Sequence, residues 1–188
     1  GGWPGAAVDV VVAGPGRTRP GVKNSQWITD RGKLESSKPK WCKEVVLSDA
    51  SGGLLEGMVT NFFVIRASTN GRKSMGEDAD GACVLETAAA GDGVLPGTVR
   101  QLVLDACGRL GIGVVLAPPA PARSFLWREA FICNAVSILE PVKKVHFPRG
   151  PGGGGGKADV VLPGGRVAGQ IRREVMDLMA EQGLSPEL

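Results

Sequence analysis

The chain has 188 residues, 43% of them hydrophobic and 22% charged, and its formal net charge is +3. This length fits one domain with its own core, and no apolar run approaches the ~20 residues of a membrane-spanning helix. The basic residues are dispersed and aromatic residues make up only 5% of the chain. This composition argues against a nucleic-acid interface, which concentrates positive charge beside stacking rings.

The sparse histidine and the cysteine spacing limit the metal and redox chemistry. The cysteines are Cys42, Cys83, Cys107 and Cys133, with no CxxC pair among them, and His146 is the only histidine. We therefore expect no metal site and four reduced thiols in or near a core, as in intracellular proteins. The first residues lack the basic region of a signal peptide. We expect a cytoplasmic or organellar protein (plastid or mitochondrion), not a secreted one.

Short β-branched runs predict most of the fold in chain order. Strands are predicted at 8–13, 43–48, 54–56, 61–66, 83–87, 114–116, 130–134 and 137–145. A turn and a short helix are predicted at 27–35, and amphipathic helices at 98–110 and 166–182. Glycine- and proline-rich patches at 16–21, 117–122 and 150–156 predict loops or linkers. Many strands with one central and one terminal helix predict an α+β fold, or an α/β barrel-like domain.

Four segments carry the chemistry, and each is weak when taken alone. They are GVKNSQW (21–27), LLEGMVTNFFVI (54–65), GVLPGTVR (93–100) and EAFICNAVSILEPV (129–142). In this order and spacing they resemble the class IV aminotransferase family, which includes branched-chain and D-amino acid aminotransferases and aminodeoxychorismate lyases. The resemblance covers roughly residues 8–146 and extends to the last helix. It implies the C-terminal domain of the D-amino acid aminotransferase-like fold, with pyridoxal 5'-phosphate as cofactor.

The resemblance also implies a division of the chain. Residues 1–22 are expected to be a remnant strand and loop leading from an N-terminal α/β domain that is largely missing. Residues 23–149 are expected to form the cofactor-binding domain, 150–160 a Gly-rich linker or insertion, and 161–188 the terminal helix of the same domain. Because family members carry about a hundred residues before the lysine, we expect either a fragment or a truncated paralogue. The intact protein is expected to be a homodimer.

Lys23 is the expected Schiff-base lysine. Pyridoxal phosphate chemistry requires an amine that bonds to the cofactor aldehyde and then carries a proton to and from the substrate α-carbon. By resemblance, Lys23 holds that position in the family pattern. From the residues alone, an ordinary exposed lysine is the more common outcome.

Glu56 is the second expected site residue. It follows two leucines in LLEG, and a carboxylate in a buried strand is costly unless it has a partner. By resemblance, the partner is the pyridine nitrogen of the cofactor, which the carboxylate keeps protonated. The alternative is an exposed glutamate at a strand end beside Gly57. By resemblance, Thr60 and Asn61 in the following turn line the cofactor pocket.

Two further turns are expected to hold the cofactor phosphate. Pro96 precedes a helix start, where free amides and the helix dipole favour an anion. By resemblance, Gly97, Thr98 and Val99 bind the phosphate there, although an ordinary helix start is the alternative. Arg100 is expected to complete this motif structurally rather than to touch the ligand.

The fourth segment is expected to form a second edge of the phosphate cup through Asn134 and Ala135. Many aminotransferases of the family carry a hydroxyl residue there, whereas Cys133-Asn134-Ala135 resembles some aminodeoxychorismate lyases. Cys133 is a poor candidate for a nucleophile, because no second catalytic partner is apparent and buried thiols are usually inert.

Three functions follow from these expectations. The first is transfer of an amino group between an amino acid and a 2-oxo acid. The second is elimination of pyruvate from aminodeoxychorismate, and the third is a truncated, non-catalytic paralogue or fragment that binds the cofactor or a partner chain. No nucleic-acid or membrane partner is expected.

Overall fold

The computed structural model describes residues 6–15, 25–68, 82–148, 157–162 and 164–184. The strands within these ranges are β1 (Val8–Pro15), β2 (Glu44–Ser48), β3 (Leu54–Gly57), β4 (Asn61–Ala67), β5 (Cys83–Thr87), β6 (Gly113–Leu116), β7 (Trp127–Asn134), β8 (Ile138–His146) and β9 (Val160–Val161). The helices are α1 (Ser25–Ser37), α2 (Thr98–Arg109) and α3 (Arg166–Glu181), with short 3₁₀ turns at Ala90–Asp92 and Pro121–Leu126.

Six of these strands close into a barrel. Their order is β3-β2-β1-β8-β7-β4, and β3 also pairs with β4 to complete the ring. β1 runs parallel to β2 and β8, whereas the other pairs of the ring are antiparallel. β5 and β6 extend from β4 outside the ring, and β9 pairs with β8. The expected mixed α+β, barrel-like fold is confirmed.

The apolar run in β4 follows from its position at the centre of the sheet. Successive side chains of a strand point to opposite faces. Phe62 and Val64 join the core cluster that includes β1 and β2, whereas Phe63 and Ile65 pack with α2 and α3. Since both faces are buried, this strand shows no alternation of polar and apolar residues.

The two amphipathic helices α2 and α3 cover one face of the sheet. Their buried positions are Val99, Arg100, Leu102, Val103, Ala106 and Cys107 in α2, and Val167, Ala168, Ile171, Val175, Leu178 and Met179 in α3. The spacing of three and four residues is that of one helix face. The predicted helix faces are therefore confirmed, and they pack against each other and against β7.

The structure extends some predicted elements and adds one. α1 is a helix of 13 residues rather than a turn and a short helix, and β7 begins at Trp127 instead of residue 130. The two-residue strand β9 was not predicted, because so short a strand carries no periodic pattern and it lies at the end of the expected 150–160 linker. The domain boundaries remain predictions.

In the part of the chain that the structure describes, no helix has both the length and the apolar character needed to cross a bilayer.

Candidate functional site

The candidate site lies where the sheet divides. Asn61, the first residue of β4, pairs with Glu56 of β3. Along the same edge of β4, residues 64–67 pair with β5 instead. β3 and β5 therefore separate beside Asn61, and the chain that follows β5 returns to this opening at Leu95, which bonds to both Asn61 and Glu56.

Glu56 connects the strand end to this returning segment. The side chain is only 2% exposed. Its Oε2 accepts hydrogen bonds from the Leu95 amide at 2.9 Å and from Asn61 Nδ2 at 3.4 Å. Asn61 Nδ2 also donates to the Leu95 carbonyl at 3.0 Å. Both backbone polar groups of Leu95 are thus held by site side chains, which fixes the turn before α2 relative to β3 and β4.

The start of α2 lies against Asn61. A Cβ atom on Gly97 would lie 2.6 Å from Asn61 Oδ1, so only glycine allows this approach. Gly97 is the N-cap residue and offers no side-chain cap. The amides of Thr98 and Val99 have no partner inside the helix, and no side chain in the described ranges accepts a hydrogen bond from them. These amides are therefore available to an anion.

Arg100 has the structural role that the sequence predicts. Its side chain is 5% exposed, and Nη2 donates to the Ala88 carbonyl at 2.8 Å. Burial lowers the pKa of this guanidinium, while the nearby Cys133 and Glu56 act in the opposite direction. Arg100 thus ties the first turn of α2 to the segment after β5.

The fourth segment reaches the same site through the pairing of Cys133 with Asn61. Asn134 Oδ1 accepts hydrogen bonds from the amides of Val136 at 2.9 Å and Ser137 at 2.8 Å, and from the Ser137 hydroxyl at 3.0 Å. This oxygen therefore closes the β7–β8 turn. The role of Asn134 and Ala135 in holding phosphate remains a prediction, for which their amides and Asn134 Nδ2 are the donors to consider.

The β7–β8 turn contains a strained residue. Ile138 has a φ of +58°, a region that β-branched residues rarely adopt. Its side chain is only 4% exposed and packs in the core beneath α2 and α3. Burial of this side chain and the three hydrogen bonds to Asn134 together offset the strain.

Cys133 is an inert thiol. Its side chain has no exposed surface, and burial raises its pKa to about 12. The thiol is therefore neutral near pH 7 and a poor nucleophile, in agreement with the sequence-based interpretation. All four cysteines are free, as expected.

Glu44 belongs to the same neighbourhood, although no sequence motif predicts a role for it. This β2 residue is 2% exposed. Its Oε2 accepts hydrogen bonds from the Thr60 hydroxyl at 3.0 Å and the Val59 amide at 3.2 Å. The only signal in the sequence is a carboxylate beside the apolar run VVL, which resembles an ordinary strand start.

Lys23 lies outside the described residues, so its role as the Schiff-base lysine also remains a prediction.

The barrel domain thus places the buried carboxylate of Glu56 beside a helix start that no side chain of the described residues caps. Comparison with known proteins specifies the family. The chain belongs to the class IV aminotransferase family, whose profile matches residues 4–145. Enzymes of this family depend on pyridoxal phosphate, act on amino acids and keto acids, and are usually dimeric. A comparison with curated proteins finds no match.

Solved structures share the fold. The branched-chain aminotransferase from Escherichia coli is 19% identical with a TM-score of 0.63, and the match covers 97% of this chain and 54% of that one. The branched-chain aminotransferase from Thermobaculum terrenum in its PLP form is 17% identical with a TM-score of 0.65, covering 94% and 52%. A putative 4-amino-4-deoxychorismate lyase from Legionella pneumophila is 12% identical with a TM-score of 0.58, covering 94% and 56%. The chain spans about half the length of these structures.

Proposed function

We propose that the protein transfers an amino group between an amino acid and a 2-oxo acid with pyridoxal 5'-phosphate as cofactor. The observation that carries the proposal is the buried carboxylate of Glu56, bonded at 2.9 Å to the Leu95 amide in the turn that precedes α2. This bond links the Glu56 carboxylate, whose negative charge suits the cofactor ring, to the start of α2, which suits the cofactor phosphate. The two groups therefore form one rigid unit.

The residues present fit this cofactor. A buried carboxylate such as Glu56 favours a protonated nitrogen opposite it, because the ion pair offsets the cost of burying either charge. The free amides of Thr98 and Val99, together with the helix dipole, favour a phosphate. When bound, the cofactor supplies an electron sink for the electrons released at the substrate α-carbon.

Each residue then has a distinct role. Lys23 would supply the amine that attaches the cofactor, with the aldehyde oxygen lost as water, and it would carry the proton to and from the substrate α-carbon. Glu56 holds the proton on the ring nitrogen. Asn61 orients Glu56 through its side-chain amide, and Thr98 and Val99 bind phosphate oxygens through their backbone.

Cofactor attachment can be tested by titrating the protein with pyridoxal phosphate and following the visible absorbance of the lysine-bound form. Lys23→Ala should abolish this absorbance. Lys33→Ala is the matched control, because Lys33 is an exposed lysine on α1, and it should behave like the wild-type protein. Unchanged absorbance in Lys23→Ala would rule out Lys23 as the attachment site.

The role of Glu56 is tested by Glu56→Gln, which keeps the size of the side chain and removes its charge. We expect bound cofactor but turnover reduced by roughly 100-fold or more, because the neutral amide cannot hold the ring proton. Near-normal turnover at full cofactor occupancy would contradict the role.

Elimination of pyruvate from aminodeoxychorismate is the second candidate. It is favoured by the sequence Cys133-Asn134-Ala135, which places no side-chain hydroxyl at the end of β7. Both reactions need the same lysine and carboxylate. Pyruvate release from aminodeoxychorismate, compared with amino transfer from a panel of amino acids, separates the two candidates. Cofactor binding without either activity would identify a non-catalytic paralogue.

We also propose that the intact protein is a homodimer. Light scattering, which measures the mass of the particle in solution, would detect it.

A further inference from the structure

The β3–β4 turn has little conformational preference of its own. It is a two-residue loop of Met58 and Val59, closed by a hydrogen bond from the Gly57 amide to the Thr60 carbonyl at 2.8 Å. Such loops favour residues with positive φ, usually glycine or asparagine. Among the described non-glycine residues only Ile138 has a positive φ. The turn must therefore be held by contacts with the rest of the chain.

These contacts come from β2. Glu44 Oε2 accepts hydrogen bonds from Val59 and Thr60, and Oε1 accepts one from the Val45 amide at 2.9 Å. The Met58 amide donates to the Val45 carbonyl at 3.1 Å. Both amides at the tip of the turn thus donate to groups of β2.

Gly57 permits this close approach. A Cβ atom there would lie 2.2 Å from Thr60 Oγ1 and 2.6 Å from Glu44 Cγ. No other residue could occupy this position without separating the carboxylate from the hydroxyl. Gly57, Thr60 and Glu44 therefore form one packed unit at the tip of the turn.

We propose that Glu44 is a positioning residue of the cofactor site, an inference that rests on the proposed function. Glu56 and Asn61 are paired directly across the turn, and both bond to Leu95. A shift of the turn would therefore move both residues relative to the start of α2. Glu44 acts through this turn, since each of its carboxylate oxygens already bonds to protein groups.

Glu129 provides the matched control. It is also a buried carboxylate, 6% exposed, and it accepts hydrogen bonds from the amides of Val167 and Ala168 at the start of α3. Gln at either position replaces one carboxylate oxygen with an NH₂ group that faces a donor. Both substitutions should cost stability, but only one of them lies next to the cofactor site.

The experiment compares Glu44→Gln, Glu129→Gln and the wild-type protein. Pyridoxal phosphate affinity is measured by absorbance titration, thermal unfolding by circular dichroism, and amide hydrogen exchange at Val59 by NMR. We expect Glu44→Gln to bind the cofactor roughly 10- to 100-fold more weakly, since charge-assisted hydrogen bonds are lost, and to exchange the Val59 amide faster. Glu129→Gln should lower the unfolding temperature while its cofactor affinity stays within about twofold.

The outcomes separate this inference from the proposed function. If Glu44→Gln bound pyridoxal phosphate with wild-type affinity, or if Glu129→Gln lost as much affinity as Glu44→Gln, the positioning role of Glu44 alone would be overturned. A wild-type protein that binds no pyridoxal phosphate would overturn both proposals. If Glu44→Gln does not fold, Thr60→Val is the alternative variant. It removes only the hydroxyl that donates to Glu44, and it should bind pyridoxal phosphate several-fold more weakly. Unchanged affinity in Thr60→Val would then count against the role.

Discussion

The helices α2 and α3 begin with the same residue type but in opposite environments. Gly97 and Gly165 are their N-cap residues, and neither provides a side-chain cap. α3 is capped from outside by Glu129 of β7, which accepts the Val167 amide at 3.0 Å and the Ala168 amide at 2.8 Å. In the described part of the chain, no side chain caps α2 in this way.

The difference shows what a helix start can be used for. The free amides at a helix N-terminus must be satisfied by side chains, water or a ligand. In α3 a buried carboxylate of the chain itself satisfies them, and its charge opposes any anion there. In α2 the amides remain available, and the adjacent Glu56 and Asn61 fix their position. One helix start is therefore completed by the fold, and the other is suited to a ligand.

Removal of the α3 cap should have the largest effect on stability. Glu129→Gln loses one of two charge-assisted hydrogen bonds and leaves a buried donor facing another donor. We expect the free energy of unfolding to fall by about 2–3 kcal/mol. Urea denaturation measures this loss. A loss below about 0.5 kcal/mol, as is usual for an exposed site, would show that α3 does not depend on this cap.

Filling the space at the start of α2 should weaken cofactor binding. In Gly97→Ala the added Cβ would lie 2.6 Å from Asn61 Oδ1, so Asn61 must move away from Glu56 and Leu95. We expect cofactor affinity to fall roughly 10- to 100-fold, since two hydrogen bonds of the site are disturbed.

The control for this substitution stands at the same position of the other helix. A Cβ on Gly165 would meet nothing within 4 Å. Gly165→Ala should therefore leave cofactor affinity unchanged in the same absorbance titration. Equal losses in Gly97→Ala and Gly165→Ala would remove the distinction between the two helix starts.

A smaller effect is expected when a single amide is removed from α2. Proline is tolerated at the first position of a helix, and the residue before it must be extended. Gly97 meets this condition with a ψ of 145°. Thr98→Pro should therefore keep the helix while it removes one phosphate donor, and we expect cofactor affinity to fall about tenfold. Full affinity in a correctly folded Thr98→Pro would show that this amide does not hold the phosphate.

Local sequence patterns predict the elements of this chain better than its long-range contacts. The continuous apolar run around Phe62 and Val64 predicts a strand buried on both faces, and the helix faces of α2 and α3 follow from their periodicity. The burial of Glu56 follows from its apolar neighbours. By contrast, the closure of the barrel through the β3–β4 pair depends on how all six strands fit together.

The buried carboxylates show the same limit. Glu129 and Val167 are separated by 38 positions, and Glu44 and Thr60 by 16. No motif links either pair, because each contact arises only when the strands are placed. Glu44 and Glu129 each stand next to apolar residues much as Glu56 does, so composition does not distinguish their three roles.

The smallest expected effect comes from a glycine of α2 far from its start. Gly108 is exposed, and a Cβ there would meet nothing within 4 Å. Glycine in a helix interior costs about 0.5–1 kcal/mol relative to alanine, largely through the entropy of the unfolded chain. Gly108 lies in the last turn of α2, one residue before its end at Arg109, so Gly108→Ala should raise the free energy of unfolding by about 0.5 kcal/mol, the lower end of this range, without changing cofactor affinity. If Gly108→Ala instead lowered cofactor affinity as much as Gly97→Ala should, the loss would reflect a change in α2 as a whole. The close contact between Gly97 and Asn61 would then have no special role in cofactor binding.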